Sequence, residues 1–308
     1  FYGFFNQIYL LRNICLSNKI KCIHSFRFFP NIINVTSNFF NDNKLICHIT
    51  GLGIAFSNNS FFYRIIKIVS LFFYQIILYR SNLIITQNDD DFKRIDIFNL
   101  FEKKNKIIYS SGVDCLKYKP PKIKNKNNPL RFLFVSRLLI DKGLVNLVNA
   151  FDEARIINKN IVLDIVGGYI KNNKRYVSKS FIEKWNSKKY INFCGEVNDV
   201  SKYYKNSDIF VLPSMYGEGI PRVLIEAAAS GLPIITTNIS GCRQVVIEKS
   251  NGVLLNNFSI SELKKALIKL SNKKTLTNFG KESRKIAQTK FSNKIIFNQF
   301  LDCYKSLV

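Results

Sequence analysis

Arg137, Lys142, Glu218 and Glu226 are the residues of this 308-residue chain whose types and spacing could do chemistry. Arg137 and Lys142 stand in VSRLLIDKG, where a strand is expected to turn into a helix. Two fixed cations beside a helix N-terminus make a clamp for a diphosphate, the guanidinium through planar bidentate contacts and the ammonium as a point charge. Glu218 and Glu226 lie in DIFVLPSMYGEGIPRVLIEAAASGLPIITT, Asp208 to Thr237. Glu226 interrupts an otherwise apolar helix. A carboxylate buried there needs a partner, so a merely solvated helix Glu fits poorly.

The elements that must hold these groups are legible around them. Asp208–Pro213 is a short apolar run that suits a strand buried on both faces. Pro221 stands where a first helical residue belongs, Gly231 and Pro233 stop that helix, and PIITT resumes as a strand. Glu218 is then in the loop at a strand's carboxyl end, where parallel sheets bind ligands, and Glu226 is on the helix behind it. Upstream, a strand at Arg131–Ser136, a helix at Lys142–Arg155 and a strand at Ile161–Val166 alternate, which implies a doubly wound parallel sheet.

The first half repeats the theme more loosely. A helix over residues 1–12 precedes a strand at Ile20–His24, a helix at Asn31–Phe40 and a strand at Lys44–Thr50. That strand opens into the turn Thr50-Gly51-Leu52-Gly53, whose backbone amides can approach a ligand closely. Leu83–Thr86 reads as a strand, and Asn88-Asp89-Asp90-Asp91 as a helix start in which carboxylates favour the dipole. Lys117–Pro129, rich in Lys, Pro and Asn, reads as a linker between domains at 1–120 and 121–308. Asn293–Val308 reads as a terminal helix.

A hydrophobic content of 47% excludes a disordered chain, and 308 residues hold two domains of ordinary size. The 46 basic and 21 acidic residues leave a net charge of +25. Lys, Asn and Ile are abundant together, as AT-rich coding DNA produces, yet the field remains and would attract a membrane, a nucleic acid or a phosphorylated substrate. The seven cysteines are scattered. Cys22, His24, Cys47 and His48 read as strand filler rather than metal ligands, and no signal peptide opens the chain, so a reducing cytoplasm is expected. The run Phe61–Tyr79 contains Arg64, Lys67 and Gln75, which argues against a spanning helix. A long helix buried in the first domain and a basic helix lying on a membrane surface are both compatible with it.

Glu218-Gly219-x-Pro221, Glu226-Ala227-x-Ala229, Gly231-x-Pro233 and Gly241-Cys242-Arg243 together resemble the retaining glycosyltransferases of family 4, which have the GT-B fold. Glu218 and Glu226 match that family's E-x7-E signature, and Arg137 and Lys142 its R-x4-K pair. The resemblance is strong from Arg131 to Leu255 and loose before Ser111. Gly217 and Gln244 depart from the Arg and Glu that many relatives carry.

The resemblance implies two Rossmann-like domains facing a cleft, the first truncated at its amino end because the chain opens with Phe1. It implies that Arg137 and Lys142 bind the donor diphosphate and stabilise it as it leaves. Glu226 then accepts bonds from ribose hydroxyls, and Glu218 acts beside the transferred sugar. Gly219, Ile220 and Gly51 complete the donor contacts. No metal or other cofactor is expected.

Relatives combining TGLG, EGIPR and GCR assemble capsule, O-antigen or other glycans on polyprenyl diphosphate. The implied partners are a nucleotide-sugar donor, probed first as a UDP-sugar, a lipid-linked sugar acceptor and the anionic inner face of the cytoplasmic membrane. Nucleic acid is not expected, since no recognition motif accompanies the charge. The rival readings are an inactive fragment or pseudoenzyme, a nucleotide-sugar epimerase and a basic nucleic-acid-binding protein.

Overall fold

A computed structural model of the chain describes residues 2–39, 41–57, 60–120, 129–170, 173, 175–217, 219–271 and 273–307. In chain order the elements begin with α1 (Tyr2–Ser17), β1 (Cys22–Phe26), α2 (Phe28–Ser37), β2 (Lys44–Ile49), α3 (Phe61–Arg80), β3 (Leu83–Thr86), α4 (Asp89–Ile95) and β4 (Asn105–Ile107). They continue with β5 (Leu130–Val135), α5 (Leu144–Ile157), β6 (Ile161–Val166), α6 (Lys179–Asn186), β7 (Ile191–Gly195), α7 (Ser201–Asn206) and β8 (Ile209–Leu212). The rest are α8 (Arg222–Ala229), β9 (Ile234–Thr237), β10 (Gly252–Leu255), α9 (Ile260–Leu270), α10 (Lys273–Ile286) and α11 (Asn293–Lys305).

Two compact units result, and their division differs from the one expected at residue 120. One unit holds Phe1–Ser110, Gly217–Ile220 and Ile296–Val308; the other holds Ser111–Tyr216 and Pro221–Ile295. Val113 joins the second because its N–H donates to the Phe291 carbonyl at 2.8 Å. Most of the expected linker, residues 121–128, lies outside the described residues.

The first unit is a four-stranded parallel sheet in the order β1-β2-β3-β4. Alternate residues of β2 serve opposite faces, as a period of two requires. Leu45, Cys47 and Ile49 pack with Ile32, Val35 and Ile77 on one side, while Ile46 packs with Ile85, Ile108 and the α11 residues Ile296 and Cys303 on the other. Each fully buried aliphatic side chain contributes about 1.5–3 kcal/mol. Asn88 caps α4 by accepting from the Asp91 N–H at 2.8 Å, as its acidic start predicts. The long helix α3 is not the buried helix that was one of the two expectations. Only Tyr74, Ile77 and Leu78 are buried, all on one face.

His24 and His48 lie on the sheet face that α11 covers, their rings stacked with centroids 5.7 Å apart. His24 Nδ1 is 2.8 Å from the Tyr304 hydroxyl, whereas both ring nitrogens of His48 lack a protein partner. Burial pushes His24 down to about 4, and burial followed by the charge of His24 pushes His48 down to about 3. Both folded values lie below the unfolded 6.5, so this contribution is complete above pH 6.5 and fades as acid approaches the folded values. By pH 5, His48 alone costs roughly 2 kcal/mol of unfolding free energy. Urea midpoints at pH 7.5 and pH 5 should therefore differ more for the parent chain than for His48→Leu. An equal difference in both sinks the assignment.

The second unit is a six-stranded parallel sheet in the order β10-β9-β8-β5-β6-β7. The chain winds from β5 through β6 to β7, then returns to the other side of β5 with β8. The order therefore reverses between β5 and β8, and the loops leaving their carboxyl ends diverge there. In open α/β sheets that switch point is where ligands bind.

Candidate functional site

The β5 loop carries both predicted cations. Lys142 closes a short 3-10 turn, Ile140–Lys142, and α5 begins only at Leu144. The expected helix start at Lys142 is displaced by Gly143, whose left-handed φ of 74° separates the two segments. A Cβ at Gly143 would lie 2.1 Å from the Pro213 carbonyl oxygen, so only glycine lets this loop reach the end of β8. The Met215 N–H donates to the Asp141 carbonyl at 2.8 Å and fastens the two loops together. Lys142 is consequently 7% exposed, with its ammonium 4.9 Å from the centroid of the Tyr216 ring. Arg137 is exposed at the mouth of the same loop. The two cations share the loop between β5 and α5 at the switch point, beside a helix whose N-cap, Gly143, brings no capping side chain. That arrangement suits a dianionic ligand.

Glu226 is 5% exposed. Its Oε1 accepts from Arg222 Nε at 3.0 Å and its Oε2 from the Tyr204 hydroxyl at 3.3 Å. The Tyr118 side chain also bonds to Glu226. Burial first, and then the negative charge of Glu226, push both tyrosine hydroxyls well up from their ordinary value. Tyr118 is held in place by Arg284, which donates to the carbonyls of Tyr118 at 2.7 Å, Cys115 at 2.8 Å and Ala229. The partner that burial demanded of Glu226 is thus a set of three side chains. Sequence reading found none of them. Arg222 was legible from its four-residue spacing to Glu226 on one helix, whereas Tyr118 and Tyr204 are distant in sequence and carry no motif. Pro221 is the N-cap of α8 rather than its first helical residue. Its φ of −64° is helical, but its ψ of 122° is extended.

Gly219, Ile220 and Gly51 are placed in the first unit. A Cβ at Gly219 would fall 2.1 Å from the Thr50 carbonyl oxygen and 2.3 Å from Gln87 Oε1. The Ile220 N–H donates to that same Oε1 at 2.8 Å, and the Gly217 N–H to Ser57 Oγ at 2.7 Å. The TGLG turn therefore sits directly against Gly219. Gln87 and Ser57 are the residues that sequence reading missed here. Glu218 lies outside the described residues. In the second unit, the Glu196 carboxylate covers Gly168 so closely that a Cβ there would meet Oε2 at 2.6 Å.

Among the described residues, no group of three His, Cys, Asp or Glu side chains could hold a metal ion.

Two parallel-sheet units of this kind are the architecture of the GT-B fold. The Anabaena protein Alr3699/HepE in complex with UDP superposes with a TM-score of 0.80 at 16% identity, covering 97% of this chain and 82% of that one. Residues 117–286 match the family model described as glycosyl transferases group 1, and the chain belongs to that family.

Among curated relatives, the UDP-Gal:alpha-D-GlcNAc-diphosphoundecaprenol alpha-1,3-galactosyltransferase of Escherichia coli is 33% identical over 190 residues, 57% of this chain and 47% of that protein. The N,N'-diacetylbacillosaminyl-diphospho-undecaprenol alpha-1,3-N-acetylgalactosaminyltransferase of Campylobacter jejuni is 24% identical over 216 residues, 67% of this chain and 55% of that protein. The chain spans about half the length of these relatives.

Proposed function

We propose that the chain belongs to a retaining glycosyltransferase of family 4. It would move a sugar from a UDP-sugar to a glycan carried on a lipid diphosphate, during cell-surface polysaccharide assembly at the cytoplasmic face of the membrane. The observation that carries the reading is the pair Arg137 and Lys142 on the β5 loop, which the Met215–Asp141 bond fastens to the β8 loop at the switch point of the second unit. Relatives named for undecaprenol-diphosphate acceptors support the acceptor class.

In the transfer, the bond between the anomeric carbon and the diphosphate oxygen breaks, and the departing UDP keeps the electron pair. An acceptor hydroxyl attacks the same face of the sugar, and its proton passes to the leaving diphosphate. The transition state has oxocarbenium character, and negative charge grows on the diphosphate. Arg137 and Lys142 meet that growing charge without reorganising, so no metal is needed for this role. Glu226, steadied by Arg222, Tyr118 and Tyr204, offers its remaining acceptor capacity to ribose hydroxyls. Glu218 acts beside the reacting sugar.

The test screens nucleotide sugars for UDP release with a lipid-linked acceptor extract, beside calorimetric titration of UDP. Glu226→Ala should weaken UDP binding by about 1–3 kcal/mol and also lower the unfolding midpoint, because Tyr204 loses its buried partner. Glu218→Ala should depress kcat more than UDP affinity. Unchanged UDP affinity in Glu226→Ala, with affinity abolished in Glu218→Ala, reverses the two roles. Absence of UDP binding by the parent chain rejects the reading.

A further inference from the structure

The helix α3 has two apolar faces, and the fold uses only one of them. Tyr74, Ile77 and Leu78 enter the core of the first unit. Phe61, Ile65, Ile68, Phe72, Ile76 and Tyr79 are instead between 38% and 79% exposed. Their spacing of three or four residues runs the whole helix, and at 3.6 residues per turn the six fall within about 80° of one another. The result is a single outward stripe about 30 Å long. A water-facing helix surface is ordinarily polar, and an apolar stripe of this extent marks a contact.

The charge beside the stripe selects its partner. α3 contains no acidic residue, and the exposed Arg64 stands at one border of the stripe. Lys67 lies farther round the helix, 5.6 Å from the centroid of the Phe56 ring. At the end of the helix Arg80 donates to the carbonyls of Asn38 at 3.1 Å and Phe39 at 2.9 Å. An apolar stripe with a cation at its border and no acidic residue on its helix matches the hydrocarbon boundary and anionic headgroups of a bilayer. A second copy of the chain matches it poorly, since each copy carries a net charge of +25 and repels the other.

α3 is long and apolar enough to cross a membrane by length and composition. Crossing would nonetheless strip Tyr74, Ile77 and Leu78 from the core and break the bond from Gln75 Nε2 to the Ile95 carbonyl, 2.6 Å long. We infer that α3 lies flat in the interface of an anionic lipid bilayer, with the stripe from Phe61 to Tyr79 in the acyl boundary and Arg64 on the headgroups. The inference rests on the lipid-linked acceptor reading and names the surface on which that acceptor would be met.

The test sediments the full chain with vesicles of phosphatidylcholine alone and of phosphatidylcholine doped with phosphatidylglycerol, at low and raised salt. Binding is expected to the doped vesicles at low salt and should fall about tenfold as salt shortens the screening length. The triple variant Ile65→Ser, Ile68→Ser, Phe72→Ser should lose about a hundredfold in binding, and Arg64→Gln about fivefold. Both should keep the parent unfolding midpoint, because the replaced side chains are exposed.

Undiminished binding by the triple variant overturns the inference, as does equal, salt-indifferent binding to phosphatidylcholine alone. A parent dimer that the triple variant dissolves, without vesicle binding, makes a second copy the occupant. Resistance to alkaline extraction from vesicles makes α3 a spanning helix. UDP titration without vesicles reports on the donor site alone, so failure of the glycosyltransferase reading is seen separately.

Discussion

Arg137→Ala is expected to lower kcat/KM for transfer by about 10²–10³ with no loss of stability, the cost typical of removing one preorganised donor to a developing negative charge. Arg137 is exposed, so truncating it leaves the packing of the β5 loop intact. Lys142 is 7% exposed above Tyr216, so Lys142→Met, which keeps the stem and removes the charge, is the cleaner comparison. Its expected loss is of similar size. Both variants should also bind UDP more weakly, by about 1.5–3 kcal/mol, since the proposed charge-assisted bond to the diphosphate would exist before the reaction as well as during it. Calorimetric titration beside turnover and thermal unfolding separates these effects. Unchanged turnover in Arg137→Ala sinks the clamp.

Gly143→Val is the second large effect, and no part of it comes from a ligand contact. The φ of 74° disfavours any L residue and a β-branched one most. The new Cβ would also stand 2.1 Å from the Pro213 carbonyl oxygen, so the β5 loop must leave the end of β8. Destabilisation of about 3 kcal/mol is expected, together with loss of UDP binding as Arg137 and Lys142 lose their common platform. Gly195 supplies the control within the same unit. Its φ is 69°, but nothing lies within 4 Å of a Cβ there, so Gly195→Val costs only the backbone penalty of about 1–2 kcal/mol. Equal stability losses at the two glycines would show that the contact with Pro213 is dispensable.

Residues that act through their own segment were readable from the chain. β3 and β6 have the ends that their apolar runs imply, and Asn88 caps the helix that its acidic neighbours announce. Arg137 and Lys142 were findable because a strand end, a turn and a helix start occupy one short stretch. These signals depend on steric preferences and periodicities spanning a few residues.

What the sequence left open depends on strand order and on which faces meet. Tyr118 and Tyr204 become partners of Glu226 only because α8 packs where Tyr204 of α7 and the segment held by Arg284 converge. Gln87 reaches Ile220 across 133 positions, a pairing that no local preference encodes. The composition of α3 was plain from the start, but not which of its apolar faces would be buried. The sequence by itself determined α1 to α5, α8, α11 and most strands, and it set Arg137 and Lys142 at the end of β5, but it did not announce α6, α7, α9 or α10. The tertiary structure decided the partners of Glu226, the need for glycine at positions 143 and 219, and the exposed stripe of α3. Each of the latter depends on a close approach between segments distant in the chain, which hydrophobic pattern and local propensity do not specify.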